Sequence, residues 1–222
     1  MFGIVIVTTA CILLFFKHFK DHHYDRPSPL LALSYVKKRP DIIRIILVNF
    51  SLQFFYALMV IFTPIYLHEV IGFDFKTIGI IFTVMLTPFV FLQYPLGRLA
   101  DSGFGEKRIL IVGVIIMILA TASFAGFGGI SIALASITLF FTRVGAGTVE
   151  VMTESYFFRQ IDDREANVIR LLRTTYPVAY LTAPIIGTIL ISYIGYTGLF
   201  FTLSGLLILT LIIAINLNEI KR

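Results

Sequence analysis

Long apolar runs follow one another along this chain with only short polar breaks between them. Those over 42–67, 78–99, 109–127, 130–157, 168–193 and 197–217 approach or exceed the roughly 20 residues a helix needs to cross hydrocarbon. A shorter run, Phe2–Phe16, precedes them. Lipid offers a backbone no hydrogen bonds, and the runs are too long for barrel strands, so each predicts a helix. The predicted fold is an all-α integral membrane protein: a six-helix bundle preceded by one partial transmembrane helix.

Phe2–Phe16 has no basic residue ahead of its apolar core. It is followed by Lys17, His18 and Lys20 in place of a small-residue cleavage site. That predicts a truncated transmembrane helix, with a signal anchor as the alternative. The segment 17–41 reads as a basic linker, and its stretch Pro29–Lys38 as a short amphipathic helix along the membrane surface.

Composition narrows the class further. Of 222 residues, 58% are hydrophobic and 14% charged, with a mean hydropathy of +0.92. That leaves too little polar surface for a soluble globule, and it is far from a disordered or collagenous chain. Cys11 is the single cysteine, which excludes an internal disulfide and a cysteine metal cage. His18, His22 and His23 have only Asp21 and Asp25 as carboxylate neighbours, so a solvated basic loop is expected there, with no metal and no cofactor.

The cationic residues set an orientation. Sixteen of the eighteen Lys and Arg fall on alternate connections, at 17–44, 98–108, 159–173 and the tail. Lys76 alone occupies the other connections, and Arg143 lies inside a span. Such asymmetry assigns the rich side to the cytoplasm. The expectation is a multi-pass protein of the cell membrane with its N-terminus outside and its C-terminus cytoplasmic.

Charges inside spans are costly and mark candidate sites. Arg143, Glu150 and Glu154 are spaced i, i+7, i+11, which at about 100° per residue places them on one stripe with Ser136 and Gly147. A cation near mid-span with two carboxylates toward the cytoplasmic mouth suits binding of an anionic group or passage of a proton. Static ion pairing between helices is the alternative for Arg143 and Glu150, and an interfacial charge near Arg159 for Glu154. Asn49, Gln53 and Tyr56 form a second stripe, read either as cavity lining or as interhelical glue. Tyr176, Tyr180 and Gly187 form a third beside Pro177 and Pro184, read either as cavity lining or as packing.

The turn Gly97–Arg108 is a compact local signal. Gly97 would admit a close neighbouring helix, and Gly103 and Gly105 a sharp reversal. Asp101, at a helix end, is placed to accept from Arg108 or from a neighbouring helix N-terminus. Gly97, Asp101, Gly105, Lys107 and Arg108 together read as a conformational latch, or as a plain capped hairpin turn.

These residues resemble the major facilitator superfamily of secondary transporters. Gly97-x-Leu99-Ala100-Asp101, with Gly105 and Lys107-Arg108, resembles the signature loop between the second and third helices of each six-helix half. Gly105 and the basic pair come later after Asp101 than that pattern has them. Arg143-Val-Gly-Ala-Gly147 is similar to the Arg-and-glycine motif of a fourth helix, and Ala179–Gly187 to the Gly/Pro motif of a fifth. The resemblance covers 42–217. It implies a C-terminal half, with 1–16 the partial transmembrane helix, 17–41 the cytoplasmic linker and 42–222 the six-helix half.

That resemblance also implies a function. It implies transmembrane transport of small organic solutes by alternating access, secondary active or facilitative, and coupled to protons. The implied partners are the lipid bilayer, a small-molecule substrate, protons, and a complementary N-terminal half or a second copy of the chain. The alternative is a non-transporting membrane subunit or truncated relic whose polar residues serve packing. No P-loop or H-E-x-x-H pattern occurs and the last span lacks a lysine, so neither an enzyme nor a retinal protein is expected, and no nucleic-acid partner.

Overall fold

The computed structural model describes residues 36–101, 105–126, 131–161 and 165–219. Phe2–Phe16, the three histidines after it and most of the 17–41 segment therefore lie outside the described residues. Within them the elements are helices: α1 Pro40–Glu69, α2 Phe75–Asp101, α3 Glu106–Gly126, α4 Ile132–Phe158, then a continuous run Ala166–Ile215. All five are long and apolar enough to cross a membrane. The run has 50 residues, and at 1.5 Å per residue it would extend about 75 Å, more than twice the hydrocarbon thickness. It breaks at Gly195 (φ 68°, ψ 179°), a conformation open essentially to glycine alone. We call its arms α5 (166–194) and α6 (196–215). They take the places expected of the spans 168–193 and 197–217.

The spans hold polar atoms that lipid cannot satisfy, and most are tied within their own helix. Hydroxyls of Thr83, Ser136, Thr148, Thr188 and Ser204 each donate to the carbonyl four residues back. Pro88 has no N–H for the Val84 carbonyl, and the Thr87 hydroxyl donates to that oxygen instead, at 2.7 Å. At the start of α2, Asp74 Oδ1 accepts from the Thr77 amide at 3.3 Å, and hydrogen bonding by Thr77 holds the Asp74 carboxyl below its usual range.

α4 packs against α3 and α2, α1 packs against the α5–α6 run, and α3 against the same run. Small residues set the closest crossings. A Cβ at Gly145 would stand 2.7 Å from the Gly113 carbonyl oxygen and from Met117 Cγ, so α3 and α4 meet there backbone to backbone. A Cβ at Gly187 would collide with Phe62, which assigns that glycine to α1–α5 packing. Gly145→Val is expected to lower the thermal midpoint in detergent by roughly 5 °C, because overpacking here pushes against backbone. An unchanged midpoint in a thermal melt would refute that crossing.

The two ends of the bundle are closed differently. At one end, the rings of Tyr66 (α1), Phe124 (α3) and Phe200 (α6) meet edge to face with centroids 5.0–5.6 Å apart. The other end carries the arginines. There Asp41 accepts from Arg44 at 2.8 Å and from Asn218 Nδ2 at 2.7 Å, while the Tyr156 hydroxyl donates to the Asn218 carbonyl at 2.8 Å. The chain after α6 is thereby returned to the start of α1. Outward faces of α2, α5 and α6 remain apolar and exposed (Val90, Phe91, Leu181, Ile185, Ile208, Leu209), as a surface against lipid or another helical unit requires.

Candidate functional site

Four helices turn polar side chains into one cavity of about 580 Å³. α1 contributes Asn49, Gln53, Tyr56 and Val60, and α4 contributes Arg143, Glu150 and Glu154. α5 supplies Leu172, Arg173, Thr175, Tyr176 and Tyr180, and α2 supplies Phe89 and Gln93. All eight pathway residues expected from the helical stripes therefore stand around the same space. Residues three, four or seven apart project from one face of a helix, and the packing turns those faces toward each other.

Arg143 dominates the floor of this cavity. Its residue is 3% exposed, and among the described residues it forms no ion pair and its Nε makes no hydrogen bond. Two aromatic rings hold it instead: Cζ stands 5.0 Å from the Tyr56 ring centroid and 5.9 Å from that of Phe89. Glu150, two turns along α4, accepts from the Tyr56 hydroxyl at 3.0 Å. Among the described residues neither Arg143 nor Glu150 forms an ion pair to another helix; the tie from Glu150 to α1 is the Tyr56 hydrogen bond.

Other members are tied across helices. Asn49 Nδ2 donates to Thr175 Oγ1 at 2.7 Å, joining α1 to α5, so Asn49 is both lining and interhelical tie. Glu154 pairs with Arg173 at 3.0 Å, both side chains substantially exposed at the basic end of the cavity. Its ion-pair partner is Arg173 of α5. Tyr176 and Tyr180 stack at 4.4 Å along the α5 wall. Ser136 turns back on its own helix.

Phe89, Gln93, Arg173 and Thr175 were not singled out from sequence. Gln93 is the one amide on α2, with Phe89 one turn away on the same face, so its signal was present in a run read only for length. Arg173 was absorbed into the count of cationic residues.

The 97–108 region differs in detail from expectation. Gly105 has φ 81°, as a tight reversal demands. Among the described residues nothing lies within 4 Å of the position a Cβ would take at Gly97, so the close helix approach expected there is absent. The side chain of Asp101 and all of Gly103 lie outside the described residues. Lys107 and Arg108 occupy the first turn of α3, and Arg108 Nε pairs with Glu219 at 3.1 Å. A second ion pair, unforeseen, stands beside this turn. Arg159, just after α4, contacts buried Glu106 at 2.9 Å and donates to the Ala100 carbonyl at 3.3 Å, so it spans the end of α2 and the start of α3.

Apolar membrane-length helices around a buried charge facing a polar cavity define a multi-pass helical membrane protein with an internal polar cavity. A family model described as Major Facilitator Superfamily matches residues 1–169 and, in an overlapping second match, 77–219. The chain belongs to that superfamily of membrane transporters. It is 31% identical over 137 residues to the multidrug resistance protein MdtL of Vibrio parahaemolyticus serotype O3:K6 (strain RIMD 2210633), a match covering 61% of this chain and 34% of that one. Its fold is similar to a crystal structure of the peptide transporter POT in complex with alafosfalin, with TM-score 0.66, 17% identity, and 78% of this chain and 37% of that one covered. It is similar also to the in meso crystal structure of the POT family transporter PepTSo, with TM-score 0.70, 18% identity and coverages of 82% and 38%. The chain spans about a third of the length of these proteins.

Proposed function

We propose that the chain forms one six-helix half of an alternating-access transporter for small organic solutes bearing an anionic group, coupled to protons. One observation carries this reading: Arg143 is buried and, among the described residues, forms no contact ion pair, beside a cavity large enough for such a solute. Burying a cation without a counter-charge is costly, and the cost is understandable where a ligand supplies that charge. The names of the relatives, a multidrug resistance protein and peptide transporters, also point toward small organic cargo. In this reading Arg143 anchors the solute and Glu150 carries the proton. The other lining residues shape the wall, and the 97–108 turn latches one conformation. A second six-helix unit, from a complementary N-terminal half or another copy, supplies the opposite wall. The arginine-rich end faces the cytoplasm of the cell membrane.

A second reading, a membrane subunit without transport, draws on the Asn49–Thr175 and Arg173–Glu154 contacts, which tie helices together as packing would. Proteoliposomes loaded with a pH-sensitive dye separate the two. The expected result is a proton flux driven by small aromatic or aliphatic carboxylates, lost in Glu150→Gln while the protein still inserts. Carboxylate uptake without proton flux would replace coupling by facilitation. No uptake, with the protein alone or with a complementary half, would favour the second reading.

A further inference from the structure

Tyr56 touches both charged groups of the pocket at once. Its ring lies under the Arg143 guanidinium, with Cζ 5.0 Å from the centroid, while its hydroxyl donates to Glu150 Oε2 at 3.0 Å. Arg143 and Glu150 themselves are two turns apart on α4, about 10 Å along the axis. Tyr56 comes from a different helix, α1, and is 7% exposed with the Phe89 ring 6.2 Å away. It is a rigid side chain with few internal rotations, so a change at its hydroxyl is felt at its ring.

We propose that Tyr56 is a positioning residue that transmits the state of Glu150 to Arg143, and so sets how the guanidinium is presented to a solute anion. The proposal rests on the reading that Arg143 anchors such an anion. An anion is best met by a guanidinium whose plane is held, and the ring of Tyr56 holds it. The ring is in turn tethered by a hydrogen bond to a carboxylate. With Glu150 ionised this bond is charge-assisted; with Glu150 neutral it is an ordinary one, about half as strong. Neutralising Glu150 therefore slackens the tether and lets the guanidinium plane turn. Other charged or titratable groups face Glu150: Arg143 and Glu154 along α4, and Arg173 and Tyr180 from α5. α2 brings only uncharged Phe89 and Gln93 to the pocket. Their direct fields act on Glu150 whether or not the Tyr56 hydroxyl is present, and this separates the two routes.

The test is a double-mutant cycle on the full chain in nanodiscs, with 2-naphthoate as the anionic probe read by fluorescence anisotropy. The chain contains no tryptophan to interfere. Glu150→Gln mimics the neutral carboxyl, and Tyr56→Phe keeps the ring over Arg143 while removing the hydroxyl. Through space alone, losing the Glu150 charge tightens an anion at Arg143 equally in both backgrounds. With the tether, Glu150→Gln tightens naphthoate at least about threefold less in the parent than in the Tyr56→Phe background, because only the parent has a hydroxyl tether to slacken. Equal effects in the two backgrounds overturn the inference and leave the anion site standing. The site itself is read separately. Saturable binding that weakens more than about tenfold in Arg143→Gln supports it. Absent or Arg143-independent binding overturns the site and the inference together. If Arg143→Gln does not fold, Arg143→Lys keeps the charge without the planar fork and takes its place.

Discussion

Replacing Arg143 with methionine is expected to raise the thermal midpoint of the protein while abolishing binding of small organic anions. The two effects have one cause. Arg143 is 3% exposed, and among the described residues it forms no ion pair. Desolvating an ion costs several kcal/mol, and the flanking Tyr56 and Phe89 rings return about 2 kcal/mol of that. A methionine of similar length fills the space without the desolvation, for a net gain of about 1–2 kcal/mol. The same exchange removes the buried cation of the pocket lining, and with it the anion anchor proposed above. Parallel thermal melts and naphthoate titrations check both halves. A lower midpoint in Arg143→Met would assign the arginine to holding helices together and withdraw the transport role argued for it.

Arg159→Ala has the opposite signature, a large loss of stability. Glu106 has a side chain only 4% exposed, and Arg159 stands 2.9 Å from it. Removing one partner of such a pair leaves an uncompensated buried carboxylate, at a cost of about 3 kcal/mol given the 30% exposure of the arginine. The Ala100 carbonyl loses a donor at the same time. A companion change separates charge burial from lost packing: Glu106→Gln in the Arg159→Ala background is expected to recover a good part of the loss. Thermal unfolding in detergent measures both variants. Proteolysis between α2 and α3 should also quicken in Arg159→Ala, because Arg159 links the end of one helix to the start of the next. Equal melting of Arg159→Ala and the parent protein would rule out a structural role for this pair.

Glu106 and Arg159 also illustrate where reading a chain residue by residue stops. Arg159 was visible only as one of many cations on the arginine-rich side and as a neighbour of Glu154 five positions away. The fold gives Glu154 to Arg173 and Arg159 to Glu106. Arg108 pairs with Glu219, a partner its sequence neighbourhood does not suggest, while the side chain of Asp101 lies outside the described residues. Each pairing joins segments far apart in sequence, and no local period encodes which of several nearby charges will be opposite.

Length and periodicity, by contrast, are local properties. A run of apolar residues long enough for the bilayer must become a helix, because the backbone has no other way to satisfy itself in lipid. That logic alone placed the helices of the described region to within a few residues, including the two arms that meet at Gly195. The helical angle of about 100° per residue likewise grouped Arg143 with Glu150 and Glu154, and Asn49 with Gln53 and Tyr56, on common faces. Which faces meet was decided by tertiary packing. Close crossings at Gly145 and Gly187 set how α3 lies on α4 and α1 on α5, and those contacts bring the separate stripes around one cavity. Packing alone also set Phe89 under the guanidinium and the Tyr56 hydroxyl on Glu150. A helix's own sequence settles where it lies and what each face carries, whereas the partner of a face depends on the shape of every other helix.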